Sequence, residues 1–490
     1  MAHPNEPEAA SPTLQDEVAA AGSELIGGPA GRRAVSYGGR WTPVRVIALL
    51  AIGMFALGLV QKAPCYNGGW LHGATDQYVH ACYSDIPHLY NGRGFGASLI
   101  PYFDRIPPEL SGDKEYLEYP VLTGLFMQVA AWLTPNGVGD PGPEQVYWLV
   151  NSGMLMVCAV VVAVCVTRTH RNRPWDGLLL ALAPALALTA TINWDLLAVA
   201  LVCGALLAWS RSRPLAAGVL IGLATAAKFY PVLLLGPLLV LCWRAGRWRE
   251  FGITVAATVV SWLAVNLPVM ALAPRGWAEF YIFSAERPVD FGSFWLIIAQ
   301  RAEITLDSVN LYAAVLVAVG CVGIAVLAFT APRRPRLAQL VFLVVALFVV
   351  TNKVYSPQYV LWLIPLAVLA RPRWRDFLIW QACEVLYFLG IWMYLAYLHG
   401  EDNQGLPQGG YQLAVLIHLL GTLYLCALVV RDVLRPEHDV VRIDGSDDPG
   451  GGVLDGAPDM FSLAPRRPTP RATAYVDWGV APRADVSRET

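Results

Sequence analysis

Apolar runs of roughly 13–22 residues recur along the chain, at 43–60, 146–166, 175–192, 195–209, 214–228, 231–243, 251–272, 310–330, 338–351, 354–370, 377–397 and 411–430. A bilayer selects runs of this kind. A helix crossing a hydrocarbon core of about 30 Å needs about 20 apolar residues, and shorter runs borrow flanking residues or tilt differently. Lipid cannot satisfy an open backbone, so each run is expected to be helical. The pattern predicts an all-α polytopic membrane protein with about 12 transmembrane helices over residues 43–430. The run 119–133 fits a re-entrant or interfacial segment as well as a crossing. No internal repeat of fixed period is visible.

Charge placement orders these runs. Arginines cluster in RTHRNR (168–173), RSR (211–213), RAGRWR (244–249), RRPR (333–336), RPRWR (371–375) and RDVLR (431–435). If 119–133 does not cross and the twelve runs alternate, every cluster falls on one side, which the positive-inside rule makes cytoplasmic, together with both termini. The long first loop, 61–145, is then extracytoplasmic and contains 119–133. The first apolar run has no clear cleavage site after it and reads as a retained signal anchor in a multi-pass cell-membrane protein. The tails 1–42 and 431–490, the latter with GSDDPGGG and PRRPTPR, are expected to be disordered.

Composition agrees with lipid as the solvent: 56% of residues are hydrophobic and 15% charged, against about 25% charged in soluble domains. A net charge of −2 suggests no nucleic-acid partner. Four of the 35 basic residues are lysines, Lys62, Lys114, Lys228 and Lys353. This arginine bias, with plentiful Ala, Gly and Val, fits high-GC coding of an actinobacterial kind. In the predicted topology all four lysines lie outside or at outer helix ends.

The polar chemistry is one-sided as well. Asp85, in CYSDIPHLYNGRGFG, sits among apolar and aromatic residues, where a carboxylate serves as a general base; the alternative is a solvated loop aspartate. Glu118 precedes Tyr119 and Pro120 and either lines a site or caps the following helix. Lys228 in AAKFYP and Lys353 in TNKVYSPQY are costly cations near apolar runs, suited to a phosphate or else snorkelling to the interface. Arg287, in SAERPVDFGSFW, either clamps a phosphate or pairs with Glu286 or Asp290. Asn193 and Asp195 stand at a tight hairpin tip; Asp195 contacts a sugar hydroxyl or caps the next helix. Tyr90, Trp194, Tyr230 and Tyr355 either stack on substrate or belong to the interfacial aromatic belt. NGRGFG lacks the strand–helix context of a dinucleotide loop, and the loop histidines match no standard metal spacing. Cys65 and Cys82 share the outer loop, where oxidation is possible, and are expected to form a disulfide.

Taken in order, YSDIPHLY, LEYPVLTG (117–124), AAKFYP (226–231), ERPVDFGSFW (286–295) and YSPQY (355–359) make residues 43–430 resemble the GT-C superfamily of polyprenyl-phosphate-sugar-dependent glycosyltransferases, nearest to the actinobacterial, mannosyltransferase-like family 87. The resemblance implies a GT-C-like bundle with a long first extracytoplasmic loop, a lipid-linked donor, Asp85 as catalytic base, and inversion without a metal or other cofactor. Lys228, Arg287 and Lys353 are the expected donor-phosphate ligands. Glu118, Tyr119, Asn193, Asp195, Tyr230, Tyr355 and Gln358 are expected to line the substrate. The implied partners are a polyprenyl-phosphate sugar, most simply mannose, a cell-envelope glycolipid or polysaccharide acceptor, and the bilayer. A decaprenyl-phosphate-arabinose donor fits the same residues. From other classes, a secondary transporter would place charges near the midplane in two related halves, which this pattern lacks, and a non-catalytic envelope assembly protein would not need Asp85.

Overall fold

The computed structural model describes residues 16–19, 41–70, 76–112, 114–135, 139, 141–304, 307–400, 404–443 and 445–464. Among these the regular structure is helical, with no strand. Counting α-helices of five residues or more, the chain forms α1 (Pro43–Gln61), the eight-residue α2 (Asp85–Gly92), α3 (Val121–Trp132), α4 (Pro143–Thr169), α5 (Gly177–Ala181), α6 (Pro184–Thr189), α7 (Asp195–Ser210) and α8 (Pro214–Ala227). It continues through α9 (Leu235–Ala245), α10 (Trp248–Leu272), α11 (Pro274–Glu286), α12 (Phe294–Ala302), α13 (Val309–Thr330), α14 (Leu337–Thr351), α15 (Val360–Ala370), α16 (Trp374–His399) and α17 (Gln408–Leu434).

Local chemistry sets many of these boundaries. Proline opens α1, α4, α6, α8 and α11, where its missing N–H costs nothing. Gly246, at φ 67°, closes α9 in the left-handed conformation. Among the described residues six helical segments are long and apolar enough to cross a membrane: Pro43–Gly68, Pro143–Thr169, Trp248–Leu272, Val309–Thr330, Trp374–His399 and Gln408–Leu434. Six further apolar segments of 10–17 residues accompany them.

One expectation changes in detail. The run 175–192 is not one helix: Pro184 has no N–H to continue α5, so α6 starts afresh and the Ala185 amide donates to Gln381 Oε1 on α16 at 3.1 Å. The segment 119–133 yields the 12-residue α3, about 18 Å long at 1.5 Å per residue and well short of a bilayer core.

Burial follows the apolar pattern. Every residue of α15 is buried, as expected of a helix apolar on all sides, whereas α13 buries only Val309 and Ala328 and turns the rest outward. Gly218 and Gly222 let α8 approach α10 closely. A Cβ at either would meet the backbone oxygen of Thr254 or Thr258 at 2.3 Å, and Thr258 Oγ1 instead donates to the Gly218 carbonyl at 3.1 Å.

The bundle has two unlike ends. One carries the start of α7, the end of α8, the end of α14 and the start of α17. The other carries the arginine clusters. There the expected disorder of 431–490 is corrected for part of its length: α17 runs to Leu434, and residues 435–443 and 445–464 form a strap of short turns with Val440, Val441 and Leu454 buried. Buried arginines on the bundle hold it. Arg336 bonds Asp439 at 2.7 and 3.0 Å, and Arg244 bonds Asp459 at 2.6 Å. A sequence window sees those aspartates as a polar tail because their arginine partners lie 100 or more residues away. In the N-terminal tail 1–42, residues 16–19 are likewise described, with the Asp16 carboxylate accepting from the Trp374 amide at 2.8 Å. Residues 1–15, 20–40 and 465–490 lie outside the described residues.

Candidate active site

A cavity of about 880 Å³ opens at the end opposite the arginines. Its wall includes Asp85, Glu118, Tyr119, Asn193, Lys228, Tyr230, Arg287, Lys353 and Gln358. Residues spread over some 270 positions of sequence thus face one space.

Asp85 is placed by bonds that cross the first loop. Ser84 caps α2 by accepting from the Ile86 amide, and its hydroxyl donates to the Thr191 carbonyl at 2.6 Å. The Asp85 amide donates to the Ile192 carbonyl at 2.8 Å. Upstream, Gln61 Nε2 and Trp70 Nε1 donate to the carbonyls of Ala81 and Cys82, Lys62 Nζ donates to that of Tyr83 at 3.0 Å, and Cys65 and Cys82 are joined in a disulfide. The segment before Asp85 is therefore sewn to the end of α1 and to the turn before α7.

The carboxylate itself meets two neutral donors. Tyr83 Oη donates to Oδ1 at 2.7 Å and Asn193 Nδ2 to Oδ2 at 2.8 Å. Asn193 Nδ2 also lies 2.8 Å from Tyr119 Oη. Burial, and then the charge of Asp85, push the Tyr83 and Tyr119 phenols well above their usual range, so both stay protonated and Tyr83 keeps the proton it donates. These bonds orient Asp85 without cancelling its charge.

The cations take different positions. Lys228 Nζ lies 3.4 Å from Asp195 Oδ1 and 5.5 Å from the centre of the Tyr119 ring. Arg287 is bonded to Asp290 at 2.9 and 2.5 Å; burial acts to lower its pKa, but Asp290 together with Tyr359 and Tyr119 turns the net shift upward. Lys353 donates to the Ala285 carbonyl at 3.2 Å and forms no ion pair among the described residues. Burial, and then neighbouring Arg287, lower its pKa. Arg287 and Lys353 share one wall because two backbone bonds, Asp290 amide to Lys353 carbonyl at 2.9 Å and Tyr355 amide to Phe291 carbonyl at 3.0 Å, zip the loop after α11 to the segment after α14. Gly292, at φ 80°, makes the approach possible, since a Cβ there would meet the Tyr355 carbonyl oxygen at 2.0 Å.

Two expected lining residues lie elsewhere. Asp195 is fully buried behind the wall, where it accepts from Trp362 Nε1 at 2.7 Å and faces Lys228; a sugar hydroxyl has no path to it. Tyr355 is also fully buried and turns away from the cavity: its hydroxyl meets Thr422 Oγ1 at 3.2 Å and its ring lies 3.9 Å from His418. Tyr230 faces the cavity with its ring stacked on Trp362 at 4.2 Å.

Several contributors carried no sequence signal of their own. Arg93, in NGRGFG, binds Glu118 bidentately at 2.7 and 2.5 Å, so Glu118 is the partner of a cation and the start of α3 has no side-chain cap. Tyr83, Tyr359 and Trp362 also line the space. An arginine among glycines and aromatics in an otherwise acidic loop was the one available hint.

No curated protein sequence matches this chain. Two crystal structures of the Archaeoglobus fulgidus oligosaccharyltransferase are similar, one in the apo form at 12% identity and one tethered through a disulfide to an acceptor peptide with the NVT sequon at 10%. Each alignment covers 80% of this chain and 55% of that one with a TM-score of 0.35. The chain spans about half the length of those structures, and a likeness at that score decides nothing about function. Residues 116–351, just under half of the chain, match the model of glycosyltransferase family 87, and the matched stretch begins after Asp85, ends before Lys353 and carries Glu118, Tyr119, Asn193, Lys228 and Arg287.

Proposed function

We propose that the protein transfers a sugar, mannose in the simplest case, from a polyprenyl-phosphate donor to a cell-envelope glycolipid or polysaccharide, with inversion and with Asp85 as general base. The observation that carries this reading is the single cavity joining one oriented, uncancelled carboxylate to a wall bearing Lys353 and Arg287.

Asp85 takes the proton of the acceptor hydroxyl as that oxygen bonds to the anomeric carbon. The bond from the anomeric carbon to the phosphate oxygen breaks, and its electron pair stays on the lipid phosphate. Phosphate is a good leaving group, so no paired acid of the glycosidase kind is needed. Lys353, whose ammonium donates to a backbone carbonyl and forms no ion pair among the described residues, stabilises the charge developing there, with a smaller share from Arg287, which Asp290 already pairs. Lys228, already neutralised by Asp195, orders the Tyr119 side of the cavity and contributes less to the phosphate. The reading uses no metal or other cofactor. Arginine placement supports a topology in which the strap end and both termini are cytoplasmic and the cavity opens to the extracytoplasmic side.

The test is transfer of labelled sugar by the purified protein, supplied in parallel with polyprenyl-phosphate-mannose and decaprenyl-phosphate-arabinose. Product from the first donor, lost in Asp85→Asn, supports the proposal. Product from the second donor alone replaces mannose with arabinose. Full activity of Asp85→Asn removes the base.

A further inference from the structure

A second cavity, of about 500 Å³, lies at the arginine end between the α4–α5 turn, the α7–α8 turn and the C-terminal strap. Arg171, Ser210, Arg211 and Ser212 line it from the bundle, and Ser446 and Asp455 from the strap. Its wall holds no large apolar side chain, so it suits a polar ligand rather than an acyl chain.

The charges around it differ from those nearby. Arg173, Arg244, Arg334, Arg336, Arg371 and Arg442 each have an aspartate within ion-pair distance. Arg168, Arg171, Arg211 and Arg213 have none among the described residues. Arg211 spends Nη2 on the Arg168 carbonyl at 2.6 Å, while its Nη1 is buried with no hydrogen-bond partner. Beneath the strap both ring nitrogens of buried His170 are also unpartnered. Burial, then Arg171, Arg168 and Arg213 in turn, lower the pKa of Arg211. The buried unpaired nitrogen of Arg211 beside mutually repelling cations calls for a ligand with several acceptor oxygens and negative charge.

We propose that this cavity is a binding site for a phosphate-bearing anion, held by Arg171 and Arg211 with Arg168 and Arg213 nearby, which clamps the strap onto the bundle. The site is remote from the transfer cavity and does not depend on how that cavity works. The phosphate comes either from solution or from an anionic lipid headgroup.

The full-length protein in phosphatidylcholine nanodiscs, titrated with inorganic phosphate against sodium chloride of matched ionic strength, tests the first source. Nanodiscs of phosphatidylglycerol without added phosphate test the second. Hydrogen exchange of strap residues 445–457 should slow at least about threefold in one arm or both, a change of roughly 0.7 kcal/mol, and the arm that responds names the source. Arg171→Gln with Arg211→Gln should abolish the response, while Arg249→Gln, an exposed arginine outside the cavity, keeps it. Asp455→Asn, which removes the carboxylate in the wall, should tighten phosphate binding by up to about fivefold. If the double variant does not fold, exposed Arg171→Gln alone must weaken the response. The proposal is overturned if neither arm moves the strap, or if the arginine variants respond like the parent.

Discussion

Two clusters of this bundle, Arg336 with Arg371 at the strap end and Asp85 with Lys353 at the cavity end, handle charge in opposite ways. At the strap end Arg336, fully buried, meets Asp439 and the carbonyls of Leu369 and Ala370, and Arg371 is shared between Asp376 and Asp432. Each of these charges is matched. At the cavity end, among the described residues, Asp85 accepts from neutral donors and Lys353 donates to a carbonyl with no ion pair. Matched buried pairs hold a fold in one arrangement but leave nothing for a substrate, whereas charges oriented by neutral groups keep their field for a ligand. The same physics gives a clamp at one end and a reaction chamber at the other.

The comparison can be broken by variants at each end. Asp85→Asn should lower the rate of sugar transfer by about 10²–10⁴-fold while leaving thermal unfolding where it was; a large drop in Tm would mean that Asp85 belongs with the clamp. Arg336→Gln should do the reverse. It leaves Asp439 and two carbonyls short of a donor, and we expect about 3–5 kcal/mol of lost stability, read by thermal unfolding and by protease cleavage within 436–464. An Arg336→Gln protein of parental stability would contradict the matched-charge account.

Smaller effects sharpen the picture at the cavity. Cys82→Ser opens a disulfide of sequence separation 17, a loss of about 3 kcal/mol on the chain-entropy account. The segment leading to Asp85 should loosen, visible as faster hydrogen exchange across 80–86 and a lower transfer rate. The finest test is pH. Lys353 is lowered from its ordinary value by burial and by Arg287, so it holds its proton below that lowered pKa and loses it sooner than an ordinary lysine as pH rises. Donor kcat/KM should then fall on the alkaline side below the usual lysine range, and Lys353→Arg should push that limb to higher pH. An alkaline limb that does not move in Lys353→Arg would take Lys353 away from the phosphate.

Legibility from the sequence followed the range of the interactions. Apolar runs, proline starts and arginine clusters are local, so the helical membrane class and the division of charge between two ends could be read directly. Asp85, Lys228 and Lys353 stood out because a charge beside long apolar runs is costly wherever the chain goes. Arg93 did not, because its meaning is Glu118, 25 positions away. The motif YSPQY drew attention to Tyr355, yet the ring that faces the cavity is Tyr359, while Tyr355 turns toward Thr422 and His418.

From the amino-acid order alone came the solvent, the helical class and the inventory of groups able to do chemistry, because these depend on runs of neighbours and on the cost of placing charge in lipid. Only the tertiary structure decided which of those groups meet. Asp195 went behind Lys228, Asn193 came forward to Asp85, and the polar C-terminal segment became a strap. Each outcome depends on hydrogen bonds and ion pairs between positions some 30 to 270 residues apart, whose partners no local window contains.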